Sequence, residues 1–340
     1  MRAWLRLGAF VAVASVVLVV AQVPSALLFG GLVGALLFAL RTSQPLEAPR
    51  WLSLVGQGVV GAIVGASVDW GTFADLGWSW PVVLAVSALT IAVSVAAGQL
   101  LRLHAGVTPV TASFASIAGG ASGMTALSRD LGADDRVVTV IQYLRVLIVL
   151  FSMPAVVALV FHEHGSGAAE DFVAGDWRDV AFCAVAVGSG LLLGRLAHLP
   201  SPAILGPVVT AAALHAVPGL GDAVVPTWVA GFGYLAIGVQ VGLRFTLDSL
   251  RSIARMLPTA FVSILLTLVT CAGLGLALSA VTGVSRLDAY LATTPGGLYA
   301  VLATSTATGG NVTFVTAVQL LRLLVVLLLA PALARMMRRP

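Results

Sequence analysis

Long apolar runs separated by short polar connections follow one another along almost the whole chain. Because a bilayer-spanning helix needs about 20 apolar residues, each run is a candidate membrane helix. The longest connection, residues 162–177, joins the two halves of the sequence. This pattern predicts an all-α polytopic membrane protein. The apolar segments are 7–23, 24–40, 51–68, 80–101, 108–128 and 137–160 in the first half, and 178–197, 200–217, 227–243, 257–281, 287–306 and 312–334 in the second.

The two halves are copies of one unit. Gln142 and Arg145 stand three residues apart in an apolar run, and Gln319 and Arg322 repeat them 177 residues later. The duplication predicts one domain per copy, and paired halves in a membrane protein are typical of transporters. Other residues that match at this spacing are Gly119 and Gly296, Gly120 and Gly297, and Pro154 and Pro331. The predicted domains are residues 1–165 and 176–340.

One segment in each copy is interrupted by residues that disfavour a continuous helix. Segment 108–128 contains Gly119 and Gly120 among several hydroxyl side chains, and segment 287–306 contains Pro295 followed by two glycines. Irregular backbone at membrane depth is tolerated only where protein or a water-filled cavity satisfies it. Each segment is therefore predicted to be a broken spanning helix or a re-entrant hairpin.

The distribution of arginine favours the re-entrant arrangement. If both broken segments enter and leave on one side, fourteen of the eighteen arginines are cytoplasmic, only Arg178 and Arg286 lie outside, and Arg145 and Arg322 lie within the membrane. If both segments span, the division is ten inside against six outside, which fits the positive-inside rule less well. The first arrangement gives about five spanning helices per half and inverts the second half relative to the first. It predicts a multi-pass protein of the inner (plasma) membrane with both termini in the cytoplasm.

A substrate-binding site is predicted near the middle of the membrane, where transporters built from inverted repeats hold their substrates. An arginine within a membrane-length apolar helix marks a functional-site candidate, because burial of its charge is costly. Broken helices add backbone N–H groups and positive dipole ends, which favour anions. The candidate substrate-binding residues are Gly119, Gly120, Ser122, Gln142, Arg145, Thr293, Thr294, Pro295, Gly296, Gly297, Gln319 and Arg322.

Structural explanations remain open for the same residues. The glycine pairs can serve close helix packing alone, and the glutamines can form hydrogen bonds that hold helices together. Each arginine can cap the carbonyls of a broken helix or pair with an aspartate such as Asp130 or Asp134. No Asp or Glu falls in the middle of an apolar segment, which argues against a carboxylate-based sodium/proton exchange site.

Composition narrows the function classes further. Of the 340 residues, 59% are hydrophobic and 9% are charged, whereas soluble proteins average about 25% charged residues. The net charge of +4 concerns membrane orientation and anionic lipid rather than nucleic acid. Cys183 and Cys271 lie in apolar segments and are interpreted as small core residues. The sequence shows no catalytic, cofactor-binding or metal-binding motif, so we expect no enzyme activity, no cofactor and no metal.

Matching motifs occur in both copies. They are Thr294-Pro295-Gly296-Gly297, Gln319-Leu320-Leu321-Arg322 and Leu329-Ala330-Pro331 in the second copy, and Gly119-Gly120, Gln142-Tyr143-Leu144-Arg145 and Pro154 in the first, which has Ala118 in place of Pro295. These motifs resemble a known family, the AbrB-type membrane proteins, which are labelled as transition-state regulators or ammonia monooxygenases. The duplicated unit is also similar to the superfamily of cation/proton antiporters and bile-acid symporters, which implies crossed discontinuous helices and secondary transport.

The sequence favours a secondary transporter or exporter of a small anionic or zwitterionic solute. A membrane-embedded regulatory component that affects gene expression is the first alternative, and a membrane oxidase subunit is the second. Regulation would predict a soluble output surface, and residues 162–177 are too few to form one. The expected partners are the lipid bilayer and a small-molecule solute, not nucleic acid, and a homodimer is left open as the assembly.

Overall fold

Helices form all the regular secondary structure in the part of the chain that the structure, a computed structural model, describes. The prediction of an all-α chain is confirmed. The described residues are 2–21, 23, 25–42, 46–68, 80–104, 106–118, 128, 132–162, 174–199, 202–217, 223–245, 251 and 254–337.

Thirteen α-helices lie within these ranges, together with 3-10 turns at Gln99–Leu103 and Ala254–Met256. The α-helices are α1 (Arg2–Val20), α2 (Ala26–Arg41), α3 (Arg50–Ala66), α4 (Trp80–Gly98), α5 (Pro109–Ser116), α6 (Asp135–Leu159), α7 (Trp177–Leu196), α8 (Pro202–His215), α9 (Thr227–Gly242), α10 (Leu257–Thr282), α11 (Arg286–Thr293), α12 (Leu298–Ala307) and α13 (Val312–Met337).

The helices agree with the apolar segments to within a few residues, including one predicted interruption. Segment 287–306 is divided into α11 and α12 by residues 294–297. In the other interrupted segment, α5 ends at Ser116, and residues 119–127 lie outside the described part of the chain. The apolar runs in the sequence therefore predict the positions of these helices to within a few residues.

Among the described residues, five helical stretches are long and apolar enough to cross a bilayer: α1, α4 with its following 3-10 turn, α6, α7 and α10 with its preceding turn. Helices α2, α3, α8 and α9 are apolar but have only 14 to 17 residues. Large apolar side chains such as Val16, Leu192 and Val269 are more than half exposed on the long helices. Such surfaces are stable against lipid rather than water, so the structure is compatible with a multi-pass membrane protein.

The first of two compact units comprises Met1–Trp70, Val157–Leu247 and Leu302–Thr313. Helix α2 packs on α9, and α3 packs on α8. These contacts depend on glycine, because a Cβ at Gly238 would overlap the Leu28 carbonyl and a Cβ at Gly65 would overlap the Val208 carbonyl. Small residues of this kind let membrane helices approach closely.

The second unit comprises Gly71–Val156, Asp248–Val301 and Phe314–Pro340. It contains α4, α5, most of α6, α10, α11, the first turn of α12 and most of α13. Its apolar core includes the buried side chains of Phe114 and Ile117, which lie at the end of α5. Both units draw segments from both sequence copies.

Helices α3 and α9, which are equivalent in the two sequence copies, run antiparallel where they touch in the first unit. A Cβ at Gly56 would lie 3.0 Å from the Ala236 Cβ. Val59, one turn later in α3, lies against Gly233, one turn earlier in α9. The contacts therefore move backwards along α9 as they advance along α3.

Helices α4 and α10, also equivalent in the two copies, show the same reversal in the second unit. The Ser263 hydroxyl donates to the Ala97 carbonyl at 2.8 Å. His104, just beyond α4, shares a hydrogen bond of 2.7 Å with Thr259, one turn before Ser263. These two helices are therefore antiparallel at their contact.

Glycine packing in the first unit gives a testable prediction about stability. A Cβ at Gly190 of α7 would lie 2.5 Å from the backbone nitrogen of Pro207, whereas a Cβ at Gly188 would have no neighbour within 4 Å. Gly190→Ala should therefore separate α7 from α8 and lower the melting temperature of the purified protein. Gly188→Ala should leave it unchanged or raise it slightly, since alanine favours a helix over glycine by about 0.5–1 kcal/mol. Equal melting temperatures for the two variants would contradict the packing account.

Candidate functional site

Two short helices, α5 and α11, end inside the second unit. Each begins at a hydroxyl cap: Thr108 Oγ1 accepts a hydrogen bond from the Thr111 N–H at 3.1 Å, and Ser285 Oγ accepts one from the Asp288 N–H at 3.0 Å. Both helices have eight residues. At 1.5 Å per residue they extend about 12 Å, so neither crosses a bilayer by itself.

The end of α11 follows from its local sequence. Pro295 disfavours helical backbone at the preceding residue, and Thr294 is extended, with φ −56° and ψ 125°. Gly296 and Gly297 then adopt positive φ angles of 108° and 69°, which glycine tolerates best, and α12 begins directly afterwards. Helix α5 ends with the same geometry without a following proline, since Ile117 has φ −66° and ψ 126°.

Both short helices lie close against a long helix at a glycine. A Cβ at Gly98, the last residue of α4, would overlap the Ser116 side chain at the end of α5. A Cβ at Gly275 of α10 would lie 2.5 Å from Thr293 Oγ1 and 2.9 Å from the Ala289 carbonyl oxygen of α11. Gly98 and Gly275 are separated by 177 residues, so this contact is part of the duplication.

Gln142 and Arg145 of α6 bind the C-terminal end of α5. Gln142 Nε2 donates to the carbonyls of Phe114 at 2.7 Å and Ile117 at 2.8 Å. Arg145 Nη1 donates to the Ser116 carbonyl at 2.6 Å, and its Nη2 donates to Gln142 Oε1 at 2.5 Å. Both side chains are buried, with exposed fractions of 0% and 3%.

Gln319 and Arg322 of α13 bind the end of α11 in the same way. Gln319 Nε2 donates to the carbonyls of Leu291 at 2.8 Å and Thr294 at 3.2 Å. Arg322 Nη1 donates to the carbonyls of Thr293 at 3.2 Å and Thr294 at 3.0 Å, and its Nη2 donates to Gln319 Oε1 at 2.6 Å. Every acceptor of the first set has its counterpart 177 residues later, and the second set has one additional bond, from Arg322 to the Thr294 carbonyl.

These contacts satisfy the two helix ends. The last carbonyls of an α-helix have no partner within the helix and carry its negative dipole end, so a cation there is stabilising. Of the structural explanations considered from the sequence, carbonyl capping by the arginines is observed. Pairing with Asp134 is not, because its Oδ1 accepts from the N–H groups of Arg136 at 3.0 Å and Val137 at 3.3 Å at the start of α6. Asp130 lies outside the described residues.

Capping leaves one nitrogen of each guanidinium without a partner in the part of the chain that the structure describes. The Nε atoms of Arg145 and Arg322 are buried and make no hydrogen bond to these residues. The Nε of Arg145 faces the interruption of the second copy, since a Cβ at Gly296 would lie 3.0 Å from it. A buried donor without a partner costs about 1–3 kcal/mol, so its occurrence at the same atom in both copies calls for a ligand or water.

The surroundings of these arginines are cationic. Among the described residues, no carboxylate accepts a hydrogen bond from either guanidinium. The positive charge of Arg322 is close enough to repel that of Arg145, and both charges are close enough to interact with the buried thiol of Cys271. The positive N-terminal end of α12 starts directly after Gly297. The hydroxyl of Thr316, one turn before Gln319 on the same face of α13, is also buried and makes no hydrogen bond to the described residues.

The structure brings together most of the residues predicted for the site. Gln142, Arg145, Gln319 and Arg322 form the two capping sets, and Gly296 lies at the Nε of Arg145. Thr293 and Thr294 take part through their carbonyls, while both hydroxyls donate to backbone carbonyls of their own helix. Pro295 and Gly297 shape the interruption. The predicted residues that lie outside the described part of the chain are Gly119, Gly120 and Ser122.

Sequence reasoning missed Cys271 as a neighbour of the arginines and Thr316 as a buried polar residue on the Gln319 face of α13. Cys271 was interpreted as a core residue, and burial alone confirms no more than that. A signal for Thr316 was available, because it lies three residues before Gln319 and therefore shares its helix face.

A model of the family described as "Transition state regulatory protein AbrB" matches residues 27–338. The chain belongs to the AbrB family. It is 31% identical over 325 residues to "Putative regulator AbrB" of Escherichia coli (strain K12), a match that covers 92% of this chain and 90% of that protein. It is also 25% identical over 304 residues to "Uncharacterized protein YhjN" of Bacillus subtilis (strain 168), over 85% of this chain and 79% of that protein. The resemblance noted in the sequence is confirmed.

The capping sets give a testable prediction for this AbrB-family chain. Gln319→Leu should leave the Leu291 carbonyl without its side-chain donor, remove one of the two donors to the Thr294 carbonyl and remove a partner of Arg322, at about 1–3 kcal/mol for each group left unpaired. Thermal unfolding of the purified protein should show a large fall in melting temperature. Gln240→Leu is the matched control, because Gln240 of α9 is half-buried and makes no hydrogen bond to the described residues. A fall of the same size in both variants would show that the capping bonds contribute nothing particular.

Proposed function

We propose that the chain is a secondary transporter of a small anionic or zwitterionic solute, bound in the second unit at Arg145 and Arg322. The observation that carries the proposal is the buried Nε–H of each arginine, which has no acceptor among the described residues, whereas Nη1 and Nη2 of the same guanidinium are both hydrogen-bonded. Buried polar groups in native proteins are almost always paired. A bound oxyanion is the partner that a cationic donor favours most.

Helix polarity supports an anion over a cation at this place. The arginines offset the negative ends of α5 and α11, whereas the N-terminal end of α12 adds a positive dipole next to Arg145. Interrupted helices that direct their ends at a buried site are typical of secondary transporters. The positive electrostatic character of the site thus supports the same anionic substrate as the buried Nε–H groups.

We further propose that the two copies are inverted in the membrane. Antiparallel packing of α3 on α9 and of α4 on α10 supports this, because an in-plane two-fold relation reverses equivalent helices. The short helices α5 and α11 support re-entrant segments, since neither is long enough to span. With inversion, the arginine distribution favours an inner-membrane protein with both termini on the cytoplasmic side.

Regulation of gene expression is the second candidate, because the family and one relative carry that name. A regulatory role would need an output surface in addition to the buried arginines. Flux of an anion through reconstituted protein separates the two candidates, since a regulator without transport activity would give none.

Side-specific labelling tests the topology. Cysteines introduced singly at Asp134 and Ala174, both exposed, in a background in which Cys183 and Cys271 are serine, should react with an impermeant maleimide from opposite sides of the membrane. In inverted vesicles, Asp134→Cys should react and Ala174→Cys should be protected until the membrane is permeabilised. Reaction of both from the same side would rule out the inverted arrangement.

Substitution of Arg322 tests the binding role. Lysine keeps the charge but loses the planar fork that matches a carboxylate or phosphate, so Arg322→Lys should reduce anion flux in proteoliposomes at least about tenfold, and Arg322→Gln should abolish it. Both variants should also melt at lower temperature, because the capping bonds are weakened. Flux is therefore expressed per folded molecule, after size-exclusion and unfolding measurements.

Arg286→Gln is the matched control for this experiment. Arg286 is exposed at the first position of α11, so its loss should change neither flux nor melting temperature appreciably. If Arg322→Gln lowered only the melting temperature and kept flux per folded molecule, its role would be structural and the proposed binding site would be wrong.

A further inference from the structure

The donors of each guanidinium can be counted. Arginine has five N–H donors and no acceptor. In Arg145, Nη1 donates one hydrogen bond to the Ser116 carbonyl and Nη2 donates one to Gln142 Oε1. In Arg322, Nη1 donates to the carbonyls of Thr293 and Thr294, and Nη2 donates to Gln319 Oε1. In both copies the Nε–H has no acceptor among the described residues, and Nη2 uses one of its two hydrogens. Nε and Nη2 share one edge of the guanidinium, so this is the edge that each arginine offers to a ligand.

An open edge of this kind binds one oxyanion side-on. Its two parallel N–H bonds match the two oxygens of a carboxylate or two oxygens of a sulfate or phosphate. Arg145 and Arg322 are only 3% and 5% exposed, so water does not screen their charges as it would at a surface. Each edge is therefore a strong, desolvated site for a single negative charge.

The charge balance favours two negative charges over one. Two guanidinium groups and the N-terminal end of α12 lie in the second unit, where the two guanidinium groups repel one another. The C-terminal ends of α5 and α11 offset them by about half a charge each, and among the residues that the structure describes no carboxylate accepts a hydrogen bond from either arginine. A net positive charge therefore remains, which a dianion offsets more completely than a monoanion.

We infer that the substrate is a dianionic oxyanion that presents one charged oxygen group to the Nε edge of Arg145 and one to the Nε edge of Arg322. This inference rests on the proposed transport function and specifies its substrate class. Two kinds of molecule share the chemistry: a tetrahedral dianion such as sulfate or hydrogen phosphate, and a small dicarboxylate. The Thr316 hydroxyl is available as an additional donor on the α13 side.

Matched pairs of anions test the inference on the purified full-length protein. Titration calorimetry compares sulfate with sulfamate, and succinate with succinamate, because each pair keeps its shape and loses one charge. We expect at least one dianion to bind about tenfold or more tightly than its singly charged partner, which is the loss of one charge-assisted interaction. A preference in the sulfate pair alone identifies a tetrahedral substrate, and one in the succinate pair alone identifies a dicarboxylate.

Variants connect that preference with the two arginines. Arg145→Lys and Arg322→Lys should each reduce the ratio of affinities between dianion and monoanion to about one. Gly296→Ala should weaken dianion binding because its Cβ would lie 3.0 Å from the Nε of Arg145. Gly106→Ala is its control, since Gly106 also has a positive φ, 91° against 108° for Gly296, and has open space around the Cβ position.

The outcomes distinguish this inference from the proposed function. Equal affinities within both pairs, with flux still dependent on Arg322, would overturn the dianion assignment and leave anion transport standing. A dianion preference that persists unchanged in both lysine variants would also overturn it. Binding of none of the four anions to folded protein would overturn the assignment as well, and the proposed function would then be decided by the flux of Arg322 variants alone.

Discussion

The burial of two permanently charged side chains in an apolar protein is the constraint on which the rest of the structure depends. A guanidinium in such surroundings is stable only where acceptors surround it. Here the acceptors are backbone carbonyls, made available because α5 and α11 stop after eight residues. The arginines need the helix ends and the helix ends need the arginines, so neither element is stable in this place without the other.

Close packing by glycine makes that arrangement sterically possible. Gly98 and Gly275 let the two short helices approach α4 and α10, and the pair after Pro295 lets the chain leave the helical conformation beside Arg145. In the first unit, glycine contacts bring α2 against α9 and α3 against α8. The same small residues therefore hold the first unit together and, in the second, bring the helix ends to the arginines.

The sequence was sufficient for the helices, the duplication and four of the central side chains. Twelve apolar runs located the thirteen described helices, α11 and α12 as one interrupted segment, because membrane helices are long and apolar along their whole length. Arg145 and Arg322 were conspicuous because charged residues are rare in such runs. The capping itself could not be read from side chains, since its acceptors are the carbonyls of residues as ordinary as Phe114 and Leu291. The approach of Gly296 to Arg145 is likewise a tertiary contact between the two copies, which no local pattern contains.

The central claim is that the unused Nε edges of Arg145 and Arg322 bind an oxyanion. Anomalous X-ray diffraction from crystals of the full-length protein grown with selenate, a tetrahedral dianion, tests it most directly. The account predicts a selenium peak in the second unit, with selenate oxygens within hydrogen-bonding distance of both Nε atoms. It would be contradicted by crystals in which no selenium peak lies there and both Nε–H groups donate to the protein backbone.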